Sequence, residues 1–571
     1  MAEKEIKQGH PKGLYILFAT EMWERFNYYG MRAVLVLFMT KALLFDKAFA
    51  SNLYGSYTSL VYLTPLIGGF IADRYWGNQR SIIAGGLVMA LGEILLFFCG
   101  HTYLSSPGVS TLLFFSGLGL MIAGNGFFKP NISSLVGQLY PKGDRRIDSA
   151  YTIFYMGINV GGALGPFVCG LVGDTGHPVD FKWAFLAGAV GMLTSVVVQL
   201  AFAKQYVIDP NKKILGQPPV GAHANWSKPL FVMLGLAAFA ALAIGMLYVD
   251  AKVFVFLPYL LLLATVLIVG IIVTDKSLKK TEKQKVSVIF IVAFFVIFFW
   301  SAFEQAGASL TFFADEQTNR HLGLSLPTWI IYPISFTALF FIAKLFKITK
   351  TAMNAREDAR LRNTVYVILS AFALAILYLI STIILSNKQQ FTLEELPAST
   401  FQSLNSIFVV SFAPIFAWLW LKLGKHEPAA PTKMAIGLFL LSLGYLWIAF
   451  GVKDVAPGIK VSMIWLIGMY ALHTWGELCL SPIGLSLVNK LAPLKFGSLL
   501  MAVWFLANAF ANYLAGTLSS LYPDNKATSF LGYTMNNQYD FFMLFVVMSG
   551  IASIVLFGLS KWLQKLMNDV K

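Results

Sequence analysis

The chain has 571 residues, of which 57% are apolar, 15% aromatic and only 12% charged, and its apolar runs recur along nearly the whole length. That composition excludes a water-soluble domain and describes a polytopic membrane protein. The net charge of +15 might suggest nucleic acid as a partner, but the lysines and arginines sit in short loops between apolar runs and form no basic domain, so none is expected.

The first apolar run, 13–43, carries Glu21, Glu24, Arg25, Tyr28, Tyr29 and Arg32. At about 100° per residue these side chains gather on one helix face. Four charges facing lipid would cost roughly 10 kcal/mol, so they must face a wet or paired interior and are functional candidates. The run is longer than a signal-peptide core and lacks a cleavage pattern, so the N-terminus reads as uncleaved.

Spans at 50–73 and 80–100 follow, and the turn between them, Gly68-Gly69-Phe70-Ile71-Ala72-Asp73-Arg74 to Arg80, resembles the cytoplasmic loop motif of the major facilitator superfamily. The third span adds Glu93, an acid that no motif places. The fourth, 109–139, sets Lys129 in mid-span before Pro130, which is expected to interrupt the helix. The fifth, 147–173, offers Asn159, and a sixth runs over 181–204.

Two bland spans, 229–248 and 253–274, read as a lateral hairpin. The next, 286–313, carries Trp300 and Glu304 one helical turn apart. An equally bland pair at 327–347 and 364–386 is expected to be peripheral and to face lipid. Spans at 399–424, 433–452, 461–489, 497–522 and 540–566 complete the chain, supplying Gln402, Asn405, Glu477, Ser481 and Trp504. The expected organisation is a six-helix bundle over 1–205, a lateral hairpin with linkers over 206–285, and a second bundle over 286–571 with the extra pair at about 327–386. The fold class is thus all-α, the major facilitator fold of two six-helix bundles around a central cavity, with additional lateral helices.

Basic residues concentrate in alternate loops, which places both termini in the cytoplasm. The three cysteines each lie in an apolar run and imply no disulfide framework. Neither a His-Glu-x-x-His metal helix nor a Gly-x-Ser-x-Gly nucleophile turn occurs, which argues against an enzyme. Among the buried charges, Glu21, Glu24, Glu304 and Glu477 outnumber Arg25, Arg32 and Lys129. An unmatched carboxylate in a poorly solvated cavity is what proton coupling needs. Arg32 is expected to pair with Glu304 towards one side of the membrane, and Lys129 with Glu477 towards the other.

Together, the Glu21/Glu24/Arg25 stripe, Tyr28-Tyr29-Gly30, Lys129-Pro130-Asn131, Phe154-Tyr155 to Asn159, Phe401 to Asn405 and Gly476-Glu477 to Ser481-Pro482 closely resemble the proton-dependent oligopeptide transporter family over almost the whole chain. The resemblance implies a symporter for di- and tripeptides in a bacterial inner membrane, with the proton as coupling ion and no cofactor, expected to work as a monomer. It implies that Arg32 and Lys129 hold the peptide carboxylate and that Asn159, Asn405 and Glu477 hold its amino end, with Ser481 nearby. Tyr28, Tyr29, Tyr62, Trp300 and Trp504 would line side-chain pockets. Glu21, Glu24, Arg25, Arg32, Lys129, Glu304 and Glu477 would couple the proton and gate the path. The chain departs from the family in having Phe303-Glu304 where some bacterial members have two acids, and in carrying the extra pair of spans.

Overall fold

A bilayer leaves no water for free backbone groups, so the apolar runs close their hydrogen bonds within themselves as helices. The computed structural model describes residues 9–567 except 142, 219–227, 254–255, 354–365, 368, 371–372, 375–376, 378–379, 382–389, 457 and 525. The first six helices are α1 (Lys12–Lys41), α2 (Lys47–Ile71), α3 (Asn78–Thr102), α4 (Pro107–Gln138), α5 (Ile147–Gly173) and α6 (Phe181–Tyr206). The lateral hairpin is α7 (Pro229–Val253) and α8 (Phe256–Thr274). Then come α9 (Lys280–Phe303), the short α10 (Ser309–Glu316), α11 (Ile331–Met353), α12 (Ser403–Leu423), α13 (Ala430–Val452), α14 (Met463–Leu491), α15 (Gly497–Ser519) and α16 (Gln538–Leu566). Eleven helical stretches among the described residues are long and apolar enough to cross a membrane.

Helices α1 to α6 form one bundle, with α1 packed on α5 and α6 and α3 on α4 and α6. The second joins α9 to α15 and α16, and α13 to α14 and α16. Helix α7 leans on α2 and α4 while α8 touches α15, so the hairpin bridges the bundles. It is less bland than expected. Asp250, near the end of α7, is buried, accepts a hydrogen bond from the Ser56 hydroxyl of α2, and caps the hairpin turn through the Leu257 amide.

Two expectations are corrected. The 286–313 run is not one helix: a 3₁₀ turn at Glu304–Gly307 divides α9 from α10, and a Cβ on Gly307 would run into the Tyr54 hydroxyl. Pro130 does not interrupt α4, which continues to Gln138, and the Asn131 side chain donates to the Phe127 carbonyl 2.7 Å away. Short strands also occur outside the helices. Of these, β1 (Thr318–Asn319) pairs in parallel with β4 (Val461–Ser462), and β5 (Thr528–Phe530) is antiparallel to β6 (Tyr533–Met535). A longer antiparallel ribbon of β2 (His321–Pro327) and β3 (Gln390–Glu395) frames the extra pair, with His321 opposite Glu395 and Pro327 opposite Gln390.

The second member of that pair, 364–386, lies largely outside the described residues. Its described Leu369, together with Ile342 and Phe346 of α11, packs on Val197 and Ala201 of α6. Outer positions such as Phe336 and Phe340 are exposed, as expected of a peripheral, lipid-facing element.

Candidate transport site

Helix alternation puts the start of α1 and the end of α16 on one face, called here the terminal face. On the opposite face the two bundles meet. Helices α2 and α15 cross so closely at Gly55 and Gly516 that a Cβ on Gly55 would lie 2.7 Å from the Gly516 Cα. Across the seam between α5 and α12, the Ser403 hydroxyl donates to the Ala163 carbonyl at 2.8 Å. Farther out, the buried Asp174 accepts from both the backbone amide and the hydroxyl of Ser399, each at 3.1 Å, and burial holds its carboxyl above the usual range.

Ion pairs reinforce this closure. Lys41 meets Asp315 at 2.7 Å and Lys47 meets Glu316 at 2.6 Å. Deepest lies Arg32 Nη1, 2.9 Å from Glu304 Oε2, as expected from their opposite charges. Both side chains are almost wholly buried, and the guanidinium also lies 5.3 Å from the Tyr29 ring centroid. Tyr29 in turn meets Tyr28 edge-on.

The remaining first-span charges form a tighter knot. Arg25 Nε lies 2.7 Å from Glu21 and 2.9 Å from Glu24, and Asn125 of α4 donates to Glu24 at 3.2 Å. Two carboxylates against one guanidinium leave the knot one negative charge in excess. Lys129, also on α4, supplies an opposing charge within electrostatic range of all three groups. Its ammonium sits 4.5 Å from the Tyr62 ring centroid.

In the second bundle Asn405 of α12 donates to Glu477 of α14 at 2.7 Å and to Thr474 at 3.2 Å. Asn405, Tyr29 and Arg32 line one small void of about 20 Å³, together with Gln402, Tyr470 and His473. One group expected at each end of a substrate, Arg32 and Asn405, thus stands on the walls of one space. Tyr155 of α5 lies within electrostatic range of both Glu477 and Tyr29, so it stands near the groups of the two bundles.

Other candidates are placed differently. The Asn159 amide donates to the Tyr155 carbonyl of its own helix at 3.0 Å, so it does not join Asn405 and Glu477 here. No ion pair joins Lys129 to Glu477 among the described residues, because Glu477 is engaged by Asn405 and the lysine lies over Tyr62. Trp300 packs edge-on against Phe299 and Phe303, Trp504 is buried against Gly484, and Ser481 is half-buried on α14. Tyr54 and Tyr470 were not singled out by sequence. Tyr470 lies seven residues before Glu477, two helical turns away and on the same face, a spacing that could have found it.

Buried, oppositely charged groups on two six-helix bundles, with one face locked by cross-bundle ion pairs, define a secondary transporter of the major facilitator architecture. Comparison with known proteins gives the family. The profile of the POT family matches residues 79–353 and 344–541. A Bacillus subtilis protein called the uncharacterized transporter YclF is 34% identical over 92% of this chain and 90% of its own length. A di-/tripeptide transporter of Lactococcus lactis subsp. lactis is 30% identical over 99% of this chain and 98% of its own. Among solved structures, a mutant of the peptide transporter POT in complex with alafosfalin superposes with a TM-score of 0.71 at 28% identity, covering 98% of this chain and 96% of that one. A POT family transporter in complex with 5-aminolevulinic acid gives 0.70 at 27% identity, covering 97% of each chain. The chain belongs to the POT family, and it is a multi-pass peptide transporter by family and not an enzyme.

Proposed function

We propose that this protein is a proton-coupled symporter that imports di- and tripeptides by alternating access, acting as a monomer in a bacterial inner membrane. The terminal face is cytoplasmic in this reading, because Arg74, Arg80, Arg145, Arg146, Lys212, Lys213, Lys422 and Lys425 gather in its loops. The two bundles are the rocking units, with boundaries near 1–205 and 286–571.

The observation that carries the reading is that Arg32 of one bundle and Asn405 of the other share one space, with Glu477 hydrogen-bonded to Asn405. A peptide is a zwitterion of fixed backbone length, so Arg32 and Lys129 receive its carboxylate while Glu477 and Asn405 receive its amino end. Asn159 turns from its own helix to join them when substrate arrives. The aromatic groups Tyr28, Tyr29, Tyr62, Trp300 and Trp504 contact side chains, with Ser481 beside them.

A carboxylate bound at Arg32 and a proton on Glu304 compete with the ion pair between them. Losing that pair opens the outer face, and regaining it closes the face behind the substrate. The cluster of Glu21, Glu24 and Arg25 with Lys129 is the second proton-sensitive centre, since a proton there cancels the negative charge that holds the lysine.

Uptake of labelled dialanine into proteoliposomes, with and without an imposed pH gradient, tests coupling. Recognition of the amino end is tested by competition. A charge-assisted hydrogen bond contributes about 1.5 to 3 kcal/mol, so N-acetyl-dialanine should compete roughly tenfold or more weakly than dialanine. Glu477→Gln should narrow that gap. Equal competition by both peptides would defeat the assignment.

A further inference from the structure

The terminal-face end of the second bundle holds a cavity of about 500 Å³ that the transport pathway does not use. Its walls come from the turn between α12 and α13, the end of α14 and the end of α16. The turn and the start of α13 supply Lys425, Glu427 and Lys433, α14 supplies Ser486 and Lys490, and α16 supplies Gln564. Among the described lining residues, three lysines and one glutamate therefore stand around the cavity.

Lys433 is only 7% exposed. It pairs with Glu427 and stands 4.5 Å from the Trp420 ring centroid, which fixes it as part of the wall. The lining keeps a positive excess, and Ser486 and Gln564 add neutral donors of the kind that complete the coordination of phosphate oxygens.

Exposed apolar side chains stand within a few residues of the lining. Leu421 is 82% exposed, and Trp418 and Trp562 are each about half exposed. The Lys422 ammonium lies 4.7 Å from the Trp418 ring centroid. Exposed tryptophans flanked by lysines mark the depth at which a helix leaves the hydrocarbon and meets headgroups. A basic cavity at that depth, bordered by greasy helix surface, offers a seat for a phosphodiester and a path for the chains attached to it.

We propose that this cavity binds the phosphate headgroup of an anionic phospholipid. Inorganic phosphate satisfies the same donors but gains nothing from the apolar border. The bound headgroup ties the α12–α13 turn to the ends of α14 and α16. It thereby braces the inner ends of the helices that carry Asn405 and Glu477.

Native mass spectrometry of the full chain, released from mixed phosphatidylglycerol and phosphatidylcholine micelles, tests this directly. Lys425→Gln with Lys490→Gln leaves the Lys433–Glu427 pair intact and should lower phosphatidylglycerol retention roughly tenfold or more. The charge-preserving Lys425→Arg with Lys490→Arg should retain it. Lys212→Gln with Lys213→Gln, which removes equal charge from the same face outside the cavity, should also leave retention unchanged. Equal loss in the cavity and control variants, or equal retention of phosphatidylcholine by the wild type, would overturn the site. Displacement of the lipid by millimolar inorganic phosphate would overturn the lipid as its occupant, and resistance to it would support the assignment.

Discussion

Replacing Glu304 with glutamine keeps the side chain's shape and removes its charge, which leaves the Arg32 guanidinium buried without a counter-ion whenever the outer face is closed. Removing one partner of a buried pair costs about 3 to 5 kcal/mol. Here the guanidinium keeps its contact with the Tyr29 ring, and a glutamine oxygen can still accept from it, so the lower end applies. When the face opens, water reaches both groups and the penalty disappears. The substitution therefore acts on one state only, and about 3 kcal/mol shifts the balance between states by roughly a hundredfold towards the open face. Spin labels on Leu44→Cys and Leu531→Cys would read that shift, because both positions are highly exposed on the outer face, one on each bundle, while the native cysteines are buried. The distance distribution should lengthen in Glu304→Gln, and swapping the charges with Arg32→Glu and Glu304→Arg should shorten it again. An unchanged distribution in Glu304→Gln, in protein that still binds peptide, would refute the claim that this pair holds the face shut.

Gly55→Val should also favour the open face, because its Cβ would meet the Gly516 backbone and force α2 from α15 at a cost of about 1 to 3 kcal/mol; the same label pair measures it. Lys129→Ala should abolish gradient-driven accumulation of dialanine, and normal acid-stimulated accumulation would remove the lysine from the coupling. At the terminal face, hydrogen bonds from Lys495 and then Ser277 pull the Asp275 carboxyl down to about 2. A depressed carboxylate contributes its tie above the ordinary carboxylate range and loses it as pH falls through the depressed value, so the Asp275–Lys495 contact should persist to about pH 2. Lys495→Ala should return the Asp275 titration towards the ordinary range in carbon-13 spectra of labelled protein.

Helix positions and the Arg32–Glu304 pair were legible because the bilayer makes their rules strict. Long apolar runs must be helical, and a charge among them must find a partner. What escaped depends on contacts that no single run records. The break at Glu304 falls at a short polar and glycine-containing stretch, Glu304-Gln305-Ala306-Gly307, inside an otherwise apolar run, and the close approach of Tyr54 to Gly307 shows why a small residue is needed there. Pro130 signalled an interruption that the surrounding bundle suppresses. Asp250 looked like a loop residue, yet Ser56 on a distant helix buries it. Lys129 and Glu477 were matched by sign, whereas the charge knot of α1 and the amide of Asn405 occupy them in this arrangement, closed on the face opposite the termini. The alternation in His321-Leu322-Gly323-Leu324-Ser325-Leu326 marks the strand β2, a short period-2 signal overshadowed by the long apolar span that follows it.

Helix α11 and the described Leu369, both from the second half of the sequence, rest on α6 of the first. During synthesis α6 is finished well before α11 emerges, so the patch around Val197 and Ala201 first meets acyl chains, which are as apolar as the side chains that later replace them. Waiting therefore costs little, and the pair docks on a surface that is already built. Assembly acquires a direction: first bundle, then ribbon, then clasp. A chain cut in the loop between α8 and α9 would still yield two fragments able to find each other, because the later fragment carries its own apolar grip on the earlier one.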